Sequence, residues 1–109
     1  MTFMRAASLT ELDDEKPFAV EVDGTEIALV RHGAEVFAIH DECSHAQIAL
    51  SEGDVEDCTL ECWLHGSRFD LRTGEPTGLP ATVPVPIYPV QIDGDDVLVD
   101  ADAPSVPAP

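Results

Sequence analysis

The chain has 109 residues, with 22 acidic against 5 basic side chains and a net charge of −17. That length is one domain's worth, and that charge repels nucleic acid and anionic membranes while favouring a partner whose docking face is basic. No run approaches eighteen apolar residues, Met1–Leu9 has neither the basic cluster nor the apolar stretch of a signal peptide, and three cysteines make no disulfide framework. A cytoplasmic protein is expected, with neither membrane nor nucleic acid as partner.

In chain order, Ser8–Leu12 offers a single helical turn, with Ser8 or Thr10 as its cap. Phe18–Val22, Asp23-Gly24 and Glu26–Arg31 read as a hairpin with a two-residue turn. His32-Gly33 makes the next turn, and Val36–Ile39 is a strand that delivers the chain into Asp41-Glu42-Cys43. Val55–Cys62 has period-two character, with Cys58, Leu60 and Cys62 on one face of a strand, so Cys58 reads as a buried structural thiol. Arg68–Leu71 is extended and Arg72-Thr73-Gly74 turns.

Between Gly74 and Pro86 stand Pro76, Pro80, Pro84 and Pro86, which exclude a central strand or helix and predict an ordered loop. Ile87–Ile92 is expected to pair with Val97–Asp100 through Asp93-Gly94-Asp95. The pattern predicts an antiparallel all-β domain over residues 1–100, followed by a disordered Pro/Ala-rich tail at 101–109.

The chemistry is concentrated in two boxes, Cys43-Ser44-His45 and Cys62-Trp63-Leu64-His65, separated by sixteen residues. Each provides one thiolate and one imidazole. An all-cysteine iron-sulfur cluster needs four thiolates and the chain has three cysteines, Cys43, Cys58 and Cys62. A structural zinc also accepts Cys2His2, but its sites usually group two cysteines on one knuckle and two histidines on a helix. Here each tip mixes one of each, which lets both tips grip both metals of a two-iron core. Two thiolates and two neutral imidazoles leave an oxidised [2Fe-2S] core near neutral. The potential then rises from roughly −400 mV to between about −150 and +300 mV.

Over Phe3–Asp100 and through the motif C-x-H-x16-C-x2-H, the chain resembles a Rieske-type [2Fe-2S] ferredoxin, the ferredoxin component of bacterial non-haem iron oxygenase systems. The resemblance implies a Rieske-like antiparallel β-sandwich with a small cluster-binding subdomain built from two loops at about 41–80, holding one [2Fe-2S] cluster. Cys43 and Cys62 would bind the buried inner iron, and His45 and His65 the outer iron at the surface, where an imidazole edge gives the electron a short way out. The second ring nitrogens of those histidines titrate in the family, linking reduction to proton uptake. The proline loop would cover the cluster, a plain linker being the other reading. Neither His32 nor His40 has a cysteine at the family's spacing, so both are read as non-ligands.

Ser67 matches the position from which high-potential members donate a hydroxyl to a bridging sulfide, whereas Phe69 stands where those members carry tyrosine. The cysteine pair that braces the two loops in membrane-complex members is also missing. A potential between about −150 and 0 mV is therefore expected. Trp63 replaces the proline usual after the second-box cysteine, and it shields the sulfurs, offers a flat contact to a partner, or fills the loop as a partly buried aromatic.

The implied function is a one-electron carrier, not an enzyme on its own, between a flavin-dependent ferredoxin reductase and a terminal oxygenase. The other readings are a Rieske-like small subunit of a larger redox enzyme such as nitrite reductase, an accessory ferredoxin in iron-sulfur cluster assembly, and a structural zinc module. The acidic surface either steers the carrier to basic-faced partners or serves solubility alone.

Overall fold

Ile27-Ala28-Leu29-Val30 is an unbroken apolar run, the pattern of a strand buried on both faces. In the computed structural model, which describes residues 3–42, 48–63, 66–77 and 83–105, all four residues are fully buried. Ile27 and Leu29 enter one core with Ala7, Leu12, Val22, Val97 and Val99. Ala28 and Val30 enter a second, with Leu50, Leu60, Cys62 and Phe69. Their strand, β3 (Thr25–His32), belongs to the sheet that separates the two cores.

Among the described residues ten strands surround these cores: β1 (Met4–Ser8), β2 (Pro17–Val22), β3, β4 (Glu35–His40), β5 (Val55–Glu56), β6 (Thr59–Glu61), β7 (Arg68–Asp70), β8 (Ile87–Tyr88), β9 (Val90–Asp93) and β10 (Asp96–Val99). They form three sheets, β2-β3-β4-β8, β1-β10-β9 and β5-β6-β7. Every strand pair is antiparallel, so the expected all-β antiparallel class holds. The sheet β5-β6-β7 is the small subdomain, and it shares its core with one face of the central sheet.

Local chemistry accounts for the joints. Ser8 caps a single 3-10 turn, Leu9–Glu11, in a reciprocal capping box: its hydroxyl accepts the Thr10 N–H while the Glu11 carboxylate accepts the Ser8 N–H at 2.8 Å. Asp23-Gly24 closes the β2–β3 hairpin with both residues at positive φ, and Val22 faces Thr25 across it. The following turn sits one residue later than expected, at Gly33-Ala34, because His32 pairs with Glu35.

Two segments differ from the sequence reading, and a third, Met4–Ser8, carries no sequence expectation. Met4–Ser8 is a strand although Met, Arg and Ala are indifferent strand formers; β10 supplies the edge that recruits it. Val55–Cys62 is a hairpin rather than one strand. Asp57 and Cys58 occupy its turn at φ 51° and 58°, and Cys58 is nevertheless buried. Ile87–Ile92 is broken at Pro89, which has no N–H to donate to a ladder. Ile87 and Tyr88 pair with β4 and the residues beyond Pro89 pair with β10, so the chain passes from one sheet to the next.

The backbone also stays on the sheet beyond Asp100. The Ser105 N–H donates to the Ile87 carbonyl at 2.9 Å and its hydroxyl accepts the Ile87 N–H at 3.0 Å, covering the β8 edge. Val106–Pro109 lie outside the described residues. Among the described residues no helix is long and apolar enough to cross a membrane.

Candidate metal centre

Cys62, the first residue of box two, opens the tip of the β6–β7 hairpin. The ladder runs Thr59↔Asp70, Leu60↔Phe69 and Glu61↔Arg68, and the next residue on one side is Cys62. Its N–H donates to the Ser67 carbonyl at 2.6 Å and its carbonyl accepts the Gly66 N–H at 2.9 Å, closing the tip from Cys62 to Ser67. Arg68 ties the stem below it, with its guanidinium 3.0 Å from the Glu61 carboxylate and 3.2 Å from the Thr59 hydroxyl. Cys62 is a free thiol with no exposed surface, packed in the lower core.

Ser67 and Phe69 are both buried beside it, and Trp63 stands 51 % exposed. His65 lies outside the described residues.

Box one leaves from the end of β4. The His40 N–H donates to the Pro86 carbonyl at 2.8 Å and the Asp41 N–H to the Glu26 carbonyl at 3.0 Å, which fixes the direction of departure. Cys43 and His45 lie outside the described residues, as do residues 78–82 of the proline loop with Pro80. The chain returns at Ile48 and makes a 3-10 turn, Leu50–Glu52, seated by the fully buried Leu50. Gly53 then lies so close to β6 that a Cβ would overlap the Glu61 carbonyl, one residue before Cys62.

Nothing in the sequence pattern singled out Gly53, or Asp41 and Ser51, whose side chains bond across the loop. Contacts between residues ten positions apart leave no periodic signal.

The other sulfur and imidazole groups are occupied structurally. Cys58 closes the β5–β6 turn, and burial pushes its thiol above the ordinary value. The His32 ring bonds the Glu15 carboxylate. The His40 Nδ1 lies 3.4 Å from the Tyr88 hydroxyl, and burial raises that phenol. Among the described residues no group of three or more His, Cys, Asp or Glu side chains is placed to hold a metal. The donor set of the two boxes is what fits a [2Fe-2S] core: Cys62 is an unbridged thiol in a dry site, at a tip fixed by backbone hydrogen bonds and adjoining buried Ser67.

A family model described as the Rieske [2Fe-2S] domain matches residues 2–89. The ferredoxin component of biphenyl 2,3-dioxygenase from Rhodococcus jostii is 52 % identical over 79 residues, covering 72 % of this chain and 74 % of that protein. Among solved structures, the ferredoxin of carbazole 1,9a-dioxygenase from Nocardioides aromaticivorans superposes with a TM-score of 0.87 at 44 % identity, covering 91 % of this chain and 97 % of that one. A ferredoxin solved in complex with the oxygenase of carbazole 1,9a-dioxygenase superposes at 0.83 with 28 % identity, over 89 % and 91 % of the two chains. Sequence, fold and the dry thiol at the hairpin tip thus agree: the chain belongs to the Rieske [2Fe-2S] domain family, as an electron carrier with one cluster.

Proposed function

We propose that the chain takes single electrons from a flavin-dependent ferredoxin reductase and passes them to a terminal oxygenase, docking on basic faces of both. Cys43 and Cys62 hold the inner iron and His45 and His65 the outer one. The bound cluster supplies a one-electron couple. The protein's own part is to keep water from the thiolates and to present the imidazole edges to a partner. The apolar packing around Cys62 serves the first purpose, and the hairpin tip that carries Trp63 serves the second. A reducing compartment such as the cytoplasm keeps such thiols from forming disulfides.

The observation that carries the reading is the 52 % identity to a ferredoxin component named for a dioxygenase. The solved complex of a related ferredoxin with its oxygenase supports an oxygenase as acceptor. The deciding experiment is EPR of the dithionite-reduced protein together with its metal content. A rhombic histidine-ligated signal with two irons per chain is expected, and an EPR-silent sample holding one zinc would overturn the proposal. His65→Ala should then yield a colourless or rapidly bleaching protein. A His65→Ala sample with wild-type colour and spectrum would remove that residue from the ligand set.

A further inference from the structure

Asp41 is a buried acid whose whole carboxylate is committed to one residue. Its Oδ1 accepts the Ser51 backbone N–H at 2.7 Å, and its Oδ2 accepts the Ser51 hydroxyl at 2.7 Å. Only 7 % of Asp41 is exposed, so both bonds are charge-assisted and shielded from water. The bonds arrive where the local chain supplies none. The turn Leu50–Glu52 starts at Ala49, which makes no side-chain cap. Asp41, ten residues back, takes the part that a neighbouring Ser or Asp takes at an ordinary helix start.

Both ends of the clamp are anchored independently. Asp41 is fixed to β3 by its N–H bond to the Glu26 carbonyl. Ser51 is fixed between the fully buried Leu50 and the close approach of Gly53 to β6. The segment so closed contains Cys43 and His45.

We propose that Asp41 and Ser51 are positioning residues for the metal centre. Their two-point clamp ties residues 41 and 51 together, on either side of Cys43 and His45 in the sequence, before the cluster is in place. The inference rests on the ligand assignment proposed above. A loop tied at its base has fewer conformations to lose when its ligands engage the metal, and a cluster held by such a loop is released more slowly. Neither Asp41 nor Ser51 needs to touch iron for this.

The test uses the holo-protein and the variants Asp41→Ala, Ser51→Ala and Ser51→Thr, with His45→Ala as the ligand control. Three readouts are compared: the rate at which visible colour bleaches in a chelator, the EPR line shape after dithionite reduction, and the far-ultraviolet unfolding midpoint. Ser51→Ala, the milder change, is expected to bleach roughly tenfold faster than wild type. It should show a broadened signal with an unfolding midpoint close to wild type, and Ser51→Thr should restore wild-type behaviour.

Asp41→Ala should exceed Ser51→Ala in both bleaching and broadening. Wild-type bleaching and line shape in Ser51→Ala would overturn the proposal. So would bleaching that merely follows a lowered unfolding midpoint and is not rescued by threonine, the mark of a general fold contact. A His45→Ala protein with the wild-type spectrum would overturn the ligand assignment itself, and the clamp's role with it, whatever the bleaching rates.

Discussion

Cys58 occupies a backbone conformation that suits glycine, at φ 58° in the β5–β6 turn, while its thiol is buried in the lower core. The left-handed conformation costs a side-chain-bearing residue about 1–2 kcal/mol, and burying a small apolar side chain returns a similar amount. Cys58→Gly should therefore stay within about 1 kcal/mol of wild type. Cys58→Ser keeps the strained backbone and buries a hydroxyl, losing about 1–3 kcal/mol. Both should retain full colour, since Cys58 is not a proposed ligand; urea unfolding with a visible spectrum checks both statements. Burial raises this thiol, so its share of stability is present below the unfolded value of 9.0 and fades as pH rises toward the higher folded value. Wild type should accordingly lose stability faster than Cys58→Ser as the buffer passes pH 9.0. Trp63 poses the opposite case, a large aromatic left 51 % exposed beside Cys62. Truncation of a tryptophan anchor commonly weakens an interface by tenfold or more. Trp63→Ala is expected to raise the KM for the redox partner by roughly that factor while the midpoint potential holds, as measured by steady-state transfer beside redox titration. An unchanged KM with a shifted potential would make Trp63 a shield for the sulfurs instead.

At the scale of elements, the turn Leu50–Glu52 and the Gly53 that ends it lie closely on β6, next to Cys62. Gly53 has φ −92°, a value any residue adopts, so its requirement for glycine comes from the close approach of the Glu61 carbonyl, with the Leu50 carbonyl also near. Gly24 is the contrasting position, with φ 80° and open space around a would-be Cβ. Gly53→Ala should cost about 1–3 kcal/mol by forcing the turn off β6, and colour should be lost faster. Gly24→Ala should cost about 1 kcal/mol through backbone strain, with bleaching unchanged. The same contrast explains what could be read from the chain. The hairpin at Asp23-Gly24, the Ser8 cap and the doubly buried run of β3 announce themselves through local residue chemistry. The two boxes do so through ligand type and spacing. Sheet membership does not, because period-two character is the same in any sheet. Pro89 divides one apolar run between two sheets, Met4–Ser8 becomes a strand only because β10 is there, and the Asp57-Cys58 turn hides inside an alternating pattern. The clamp from Asp41 to Ser51 likewise exists only once the loop between them has closed.

Over the whole molecule the question is what the charge of −17 does. Most of the basic side chains are engaged within the protein. Arg5 pairs with Asp96 at 2.9 Å, Arg68 with Glu61 at 3.0 Å and Arg72 with Glu35 at 3.8 Å, while the Arg31 Nε–H donates to the Gly33 carbonyl at 3.1 Å. Some acids serve as fasteners, as when Asp14 accepts the Gly33 N–H and Asp70 the Arg72 N–H, each at 2.8 Å. Others are set against one another: Glu21 and Glu26 sit directly opposed on β2 and β3, an arrangement that lowers sheet stability. Acid in this excess destabilises the fold by self-repulsion and would attract any partner with a basic docking face. Salt separates the two consequences. Screening to a Debye length of ~8 Å at physiological ionic strength relieves repulsion and weakens steering together. Raising salt should therefore increase the unfolding midpoint while slowing bimolecular electron transfer, followed by stopped-flow with a basic-faced reductase or oxygenase. A midpoint that rises while the transfer rate stays flat would assign the charge to solubility alone. Recognition of the partner would then rest on the apolar surface that Trp63 exposes next to Cys62.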